Sequence, residues 1–268
     1  MNGRDNLGPR AGGLVLSLLT AALAGLAWML PPIPQPPEYH HFADQRPCLG
    51  LPNCLDTSSN VLFVLAGAAG LCFLSSVPAR RRAFIRQVEA IPYALFFSAA
   101  LVAGPASGFY HLAPDNGRLA WDRAAIALAL MSWLAAILGE RVSLRAGLWL
   151  LPPLILYGLG AAGYWSWSEA AGRGDLRPYG LMQVLPMALV PLMLRLYPPH
   201  YSGDRDILTV IGLYVLALLA DRGDYPIFTL TNGIISGHTI KHLVAALAVF
   251  WVLLHLRRRW ILNPGGRP

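Results

Sequence analysis

Charge is scarce in this sequence. Asp, Glu, Lys and Arg make up 13% of its 268 residues, against about a quarter in an ordinary soluble domain. Lysine is almost missing, with Lys241 the single example, and there are three cysteines, too few for a disulfide scaffold. Internal repeats, low-complexity tracts and a stretch polar enough to form a soluble domain are lacking too. Together with 55% hydrophobic residues and a mean hydropathy of +0.48, these shortages exclude both a water-soluble globule and a disordered chain. The net charge of +7 and pI near 9.7 do not indicate nucleic acid, because the basic residues are arginines at the ends of apolar blocks.

Those blocks are the dominant feature. Ala11 to Pro37, Thr57 to Ala79, Ala90 to Pro114 and Ala146 to Ser168 contain no Asp, Glu, Lys or Arg. Crossing a hydrocarbon core of roughly 30 Å takes about 20 helical residues. The expected fold class is therefore all-α, a polytopic membrane protein. Eight spans are predicted, near 13–30, 57–77, 91–111, 121–139, 146–164, 179–197, 206–221 and 233–256. The seventh is the weakest, since its uncharged stretch is short and Asp206 and Asp221 must lie near the membrane edges or face the bundle.

Arginine counts in the short connections set the orientation. Arg4, Arg10, Arg80, Arg81, Arg82, Arg86, Arg141, Arg145, Arg205, Arg257, Arg258 and Arg259 fall on one side, whereas Arg46, Arg118, Arg173, Arg177 and Arg222 fall on the other. Both termini are thus expected inside. The first span resembles a signal peptide, but its apolar run is long and Ala24-Gly25-Leu26-Ala27-Trp28 is a poor cleavage site, so it is read as a retained helix. Abundant Arg with one Lys points to a GC-rich bacterial genome, hence the cytoplasmic membrane. Cys48 and Cys54 flank a short loop and would pair in an oxidising compartment, while Cys72 falls mid-helix and is read as a packing residue.

Seven histidines are present. His40, His41, His200 and His255 fall in loops or at a helix end, where a solvated or interfacial role is expected. His111 ends the third span with Ser107 one turn earlier, and His238 and His242 open the last span. A spacing of four places His238 and His242 on one helix face, and likewise Ser107 beside His111. Counting crossings brings His111, His238, His242 and Asp122, at the start of the fourth span, to one membrane depth on the outer side. Three imidazoles with a fourth position left open make a catalytic zinc site. Zinc activates water and polarises a carbonyl, and Asp122 fits the role of proton carrier or of a residue orienting a ligand. Ser107 is placed to hydrogen-bond the water or a developing oxyanion.

These residues resemble the alkaline ceramidases and their wider seven-helix hydrolase superfamily, which includes the adiponectin and progestin receptors. Ser107-x3-His111 followed by Asp122, His238-x3-His242 in the last helix, and Asp56-Thr57-Ser58-Ser59-Asn60, similar to the family's Asn-Thr-x-Ser-Asn, carry the likeness over roughly residues 44–256. It implies zinc held by His111, His238 and His242, with Ser107 and Asp122 as catalytic residues. It also implies a seven-transmembrane-helix core, which makes the first span an extra N-terminal helix. The expected division is residues 1–43 with the extra helix, 44–256 as the ceramidase-like domain, and 257–268 as a basic cytoplasmic tail. Ceramidases of this family also hold calcium before the first core helix. Here Asn53 stands for a family Glu, and Asp44, Asn53 and Asp56 are the oxygen ligands on offer.

The implied activity is zinc-dependent hydrolysis of the N-acyl bond of ceramide or a related lipid, on a substrate admitted sideways from the bilayer, with no nucleic-acid partner. Lys241 would either meet an anionic headgroup or snorkel to the interface. Three other readings compete. A receptor on the same scaffold is disfavoured by short loops, and a haem-binding electron carrier by the placement of two histidines on one face. An intramembrane serine protease is disfavoured because Pro105-Ala106-Ser107-Gly108 lies within a helix.

Overall fold

The computed structural model describes residues 8–262. Arg4, and residues 263–268 of the expected tail, lie outside them. The chain runs through α1 (Pro9–Met29), α2 (Cys54–Ser58), α3 (Val61–Ser75), α4 (Val77–Ala83), α5 (Ala90–Leu112), α6 (Asn116–Arg141), α7 (Leu144–Ala170), α8 (Arg177–Leu196), α9 (Asp204–Arg222), α10 (Asp224–Leu230) and α11 (Gly237–Arg258). Among the described residues there is no strand, only two isolated bridges, Cys48 with Leu51 and Tyr201 with Ile261. The protein is an all-α polytopic membrane protein. Among the described residues, seven segments are long and apolar enough to cross a membrane. α9 has 19 residues, but Asp204, Arg205, Asp206, Asp221 and Arg222 charge its two ends.

Local chemistry sets the boundaries. Asp115 caps α6 by accepting from the Arg118 amide, and Ser143 caps α7 by accepting from the Ala146 amide. One expected span is subdivided and another starts later. The second breaks at Ser59-Asn60 into α2 and α3, and the last begins at Gly237 rather than 233, after the separate short helix α10. Close approaches use glycine: a Cβ on Gly67 of α3 would lie 2.6 Å from the Leu101 amide nitrogen of α5, and one on Gly147 of α7 would lie 2.6 Å from the Gly139 nitrogen of α6. Without water to drive helices together, such backbone contact replaces hydrophobic burial as the packing force.

Successive crossings leave the arginine-rich ends of α4, α6 and α11 together at one membrane edge, here the arginine edge. Buried polar groups pin it. Arg259 donates to Glu140 and stacks 4.0 Å from the Tyr201 ring. Glu140 also accepts from the Tyr93 hydroxyl at 2.8 Å, and the His200 ring donates to the Glu140 carbonyl at 2.7 Å. His255, expected at the interface, is instead 3% exposed, with Nδ1 3.6 Å from Asp206 Oδ2. Cys72 is exposed rather than packed, because α3 buries Ala66, Gly67, Gly70 and Leu74 on another face.

Candidate metal centre

At the opposite edge, the end of α5 meets the start of α11. α5 delivers His111 from its last turn. Ser236 accepts from the Thr239 amide and so starts α11 immediately before His238, with His242 one turn on. All three rings are buried, at 0%, 3% and 3% exposure. The Nε2 atoms of His111 and His238 lie 3.2 Å apart, and the candidate ligand nitrogens of all three lie within 4.8 Å of one another. A tetrahedral ion with bonds of about 2.0–2.1 Å holds its nitrogens roughly 3.3 Å apart, close to the His111–His238 separation, so the cluster could hold a metal ion.

The outward nitrogens of two rings are held. His238 Nδ1 lies 2.7 Å from Asp221 Oδ1, and His242 Nδ1 lies 2.9 Å from Ser59 Oγ. When each Nδ1–H donates outward, the Nε2 lone pair is directed inward, which is the tautomer a metal requires. His111 Nδ1 is buried with no hydrogen-bond partner among the described residues. No carboxylate joins the ligand group among the described residues, so the candidate ligands are the three ring nitrogens.

Ser107 and Asp122 are buried beside this cluster, at 4% and 6% exposure. Ser107 lies within hydrogen-bonding reach of the Asp122 carboxylate, which is in electrostatic range of Lys241 and His238. Lys241 neither snorkels nor stays free: its Nζ lies 3.2 Å from Asp221 Oδ1. Asp44, Asn53 and Asp56 belong to different hydrogen-bond sets. Both Asp44 oxygens accept from Arg46 at 2.7 Å, which holds its carboxyl below the usual carboxylate range. Asn53 donates to the His111 carbonyl at 2.8 Å. Asp56 Oδ1 accepts from Thr239 at 2.5 Å and Ser236 at 3.3 Å, while its Oδ2 has no partner among the described residues.

The connection from α1 to α2 covers the cluster, which no periodicity in the sequence indicates. Phe42 is 3% exposed, its ring 4.7 Å from that of His111 and 4.5 Å from that of His238. His40, expected to be solvated, instead bonds the Tyr110 hydroxyl and Asn116 Oδ1, each at 2.9 Å. Asp224 accepts from the Ala43 amide through one oxygen and from the His238 amide through the other, each at 2.8 Å. Cys48 and Cys54 are joined in a disulfide at the end of this strap. Sequence reasoning also missed Arg123, whose guanidinium lies 3.8 Å from the Trp165 ring and 5.0 Å from that of Tyr179. Its position next to Asp122 inside an apolar span was the available signal.

Fold and site together define a polytopic helical membrane protein with a buried three-histidine cluster able to hold a metal ion. No protein-family model matches the chain, and no curated protein matches it.

Proposed function

We propose that the protein is a zinc-dependent intramembrane amidohydrolase that cleaves the N-acyl bond of ceramide or a related lipid, the activity implied by its resemblance to the alkaline ceramidases. The observation that supports this most is the inward convergence of three imidazoles with two Nδ1 atoms tied outward, to Asp221 and Ser59. That donor set is built to hold an ion and leave one position open. Zinc bound by His111, His238 and His242 supplies Lewis acidity toward a carbonyl oxygen and toward water.

The chain's own residues supply the rest. Hydrolysis breaks the acyl C–N bond, adds water oxygen to the acyl carbon and requires a proton on the leaving nitrogen. Asp122 takes the proton from water and returns it to that nitrogen. Ser107, within reach of Asp122, donates its one hydroxyl hydrogen to the carboxylate while that is ionised, and to the oxygen on which negative charge develops once Asp122 has taken the proton. Phe42 and Tyr110 flank the His111 ring at 4.7 and 4.9 Å, limiting bulk water at the reacting centre. The acyl chain approaches from the bilayer, whose hydrocarbon core is its solvent.

The test is zinc content together with fatty-acid release from a ceramide in mixed micelles or vesicles. About one zinc per chain and release that falls at least 100-fold in His238→Ala and in Asp122→Asn are expected. Full activity in His238→Ala, or an active preparation with substoichiometric zinc, overturns the proposal.

A further inference from the structure

A second feature lies at the arginine edge, remote from the cluster of His111, His238 and His242. α3, α4 and α11 enclose an open cleft of about 530 Å³. Cys72 and Phe73 of α3 and Phe250 and Leu253 of α11 line its apolar part, and Arg82 of α4 and Arg257 of α11 stand at its mouth. From Phe250 to Arg257 is seven residues of helix, about 10 Å along the membrane normal, so the apolar part runs into the hydrocarbon zone while the guanidinium groups stay at headgroup level.

The two arginines are available for an anion. Arg82 donates to the Arg257 carbonyl at 3.0 Å, a bond that brings the side chain across the cleft and leaves its charge uncompensated. Neither Arg82 nor Arg257 forms an ion pair with an acidic side chain among the described residues. Of the other arginines at this edge, Arg141 pairs with Asp204 and Arg259 with Glu140, while Arg81 and Arg258 lie outside the cleft. Arg80 donates to the Leu74 carbonyl and to Gln87. Two unpaired guanidinium groups above an apolar slot match a phosphate attached to a hydrocarbon chain, and basic pockets between helices at a membrane edge bind lipid headgroups in this way.

We infer that the cleft between α3, α4 and α11 is a binding site for an anionic phospholipid, with an acyl chain along Cys72 and Phe250 and the phosphate on Arg82 and Arg257. The site is independent of the metal centre and does not require the proposed hydrolysis. Its occupant braces α11, the helix that presents His238 and His242 at its other end.

The experiment reconstitutes the full chain in vesicles of equimolar phosphatidylglycerol and phosphatidylcholine, extracts it gently, and counts retained lipid by native mass spectrometry. The wild type is expected to retain phosphatidylglycerol over phosphatidylcholine. At about fivefold per arginine, the double variant Arg82→Gln, Arg257→Gln is expected to lose roughly 25-fold of that preference. Cys72→Trp fills the apolar part without altering charge and is expected to lose retention as well. Arg81→Gln, Arg258→Gln removes the same charge from the same edge outside the cleft and is expected to keep the wild-type preference. Equal retention of the two lipids by the wild type overturns the inference. An equal loss in the Arg81, Arg258 variant also overturns it, since the preference then belongs to a diffuse basic surface. So does full retention in Cys72→Trp, because the headgroup alone is then recognised. Zinc content and melting temperature of each variant separate loss of the lipid from loss of the fold.

Discussion

Replacing Asp221 with asparagine tests how the metal centre is held. Asp221 Oδ1 lies 2.7 Å from His238 Nδ1 and 3.2 Å from Lys241 Nζ, with side chains 19%, 4% and 15% exposed. The substitution keeps the shape but removes the charge, and the amide can turn its NH2 toward the ring. A ring that accepts at Nδ1 carries its proton on Nε2, where it blocks ligation. Loss of such an outer partner weakens metal binding by about 10- to 100-fold, or roughly 1.4–2.7 kcal/mol. The same change strands the Lys241 ammonium, and removing one partner of a buried pair costs about 3–5 kcal/mol of fold stability. The two effects separate in the double variant Asp221→Asn, Lys241→Met, in which stability returns while zinc affinity does not. Competition against a chelating zinc indicator reads the first effect, and thermal unfolding in detergent the second. Unchanged zinc affinity in Asp221→Asn refutes the reasoning, and so does recovery of affinity in the double variant, which would make the lysine rather than the ring orientation responsible.

Other consequences follow from the same geometry. Phe42→Ala removes a ring packed on both His111 and His238; a loss of about 3 kcal/mol is expected, and an excess of chelator should strip zinc faster than from the wild type. Arg259→Met leaves Glu140 buried without its cation and is expected to cost about 3–5 kcal/mol, with Arg259→Met, Glu140→Gln recovering most of the lost melting temperature. The Arg46 guanidinium lowers the Asp44 carboxyl below its usual 3.8. Its anchoring of the strap is therefore full above that value and is lost as pH falls through the depressed one, so limited proteolysis within residues 31–53 should rise in acid for the wild type and be pH-independent, at the raised level, in Asp44→Asn.

Positions of the membrane spans were legible because an uncharged block of sufficient length has few alternatives in a bilayer. α5, expected over 91–111, runs Ala90–Leu112, and α8, expected over 179–197, runs Arg177–Leu196. Which side of a span faces the bundle was not legible. In a soluble helix polarity separates the faces, but lipid is as apolar as a protein core, so Cys72 reads like Ala66 although one is exposed and the other buried. The histidine cluster was legible for the converse reason: polar groups are so few within the spans that His111, His238 and His242 stand out, and helical spacing gathers two of them. Their supports were harder to find. Asp221 was visible as a carboxylate at a span end, but its partner depends on how α9 sits against α11. Phe42 belongs to a segment without periodicity, whose course follows from tertiary bonds such as that of Asp224 to Ala43.

Asp224 joins two otherwise separate parts of the molecule, because its two oxygens accept from the amides of Ala43, on the strap, and His238, on the first turn of α11. A strap lifted to admit substrate must give up one of these bonds or pull on the turn that presents a metal ligand. Metal occupancy and strap position are then linked variables, and linkage is reciprocal: whatever free energy a bound ion adds to the closed strap, strap closure adds to ion binding. A single carboxylate would thus make opening of the site and loosening of its ion one event.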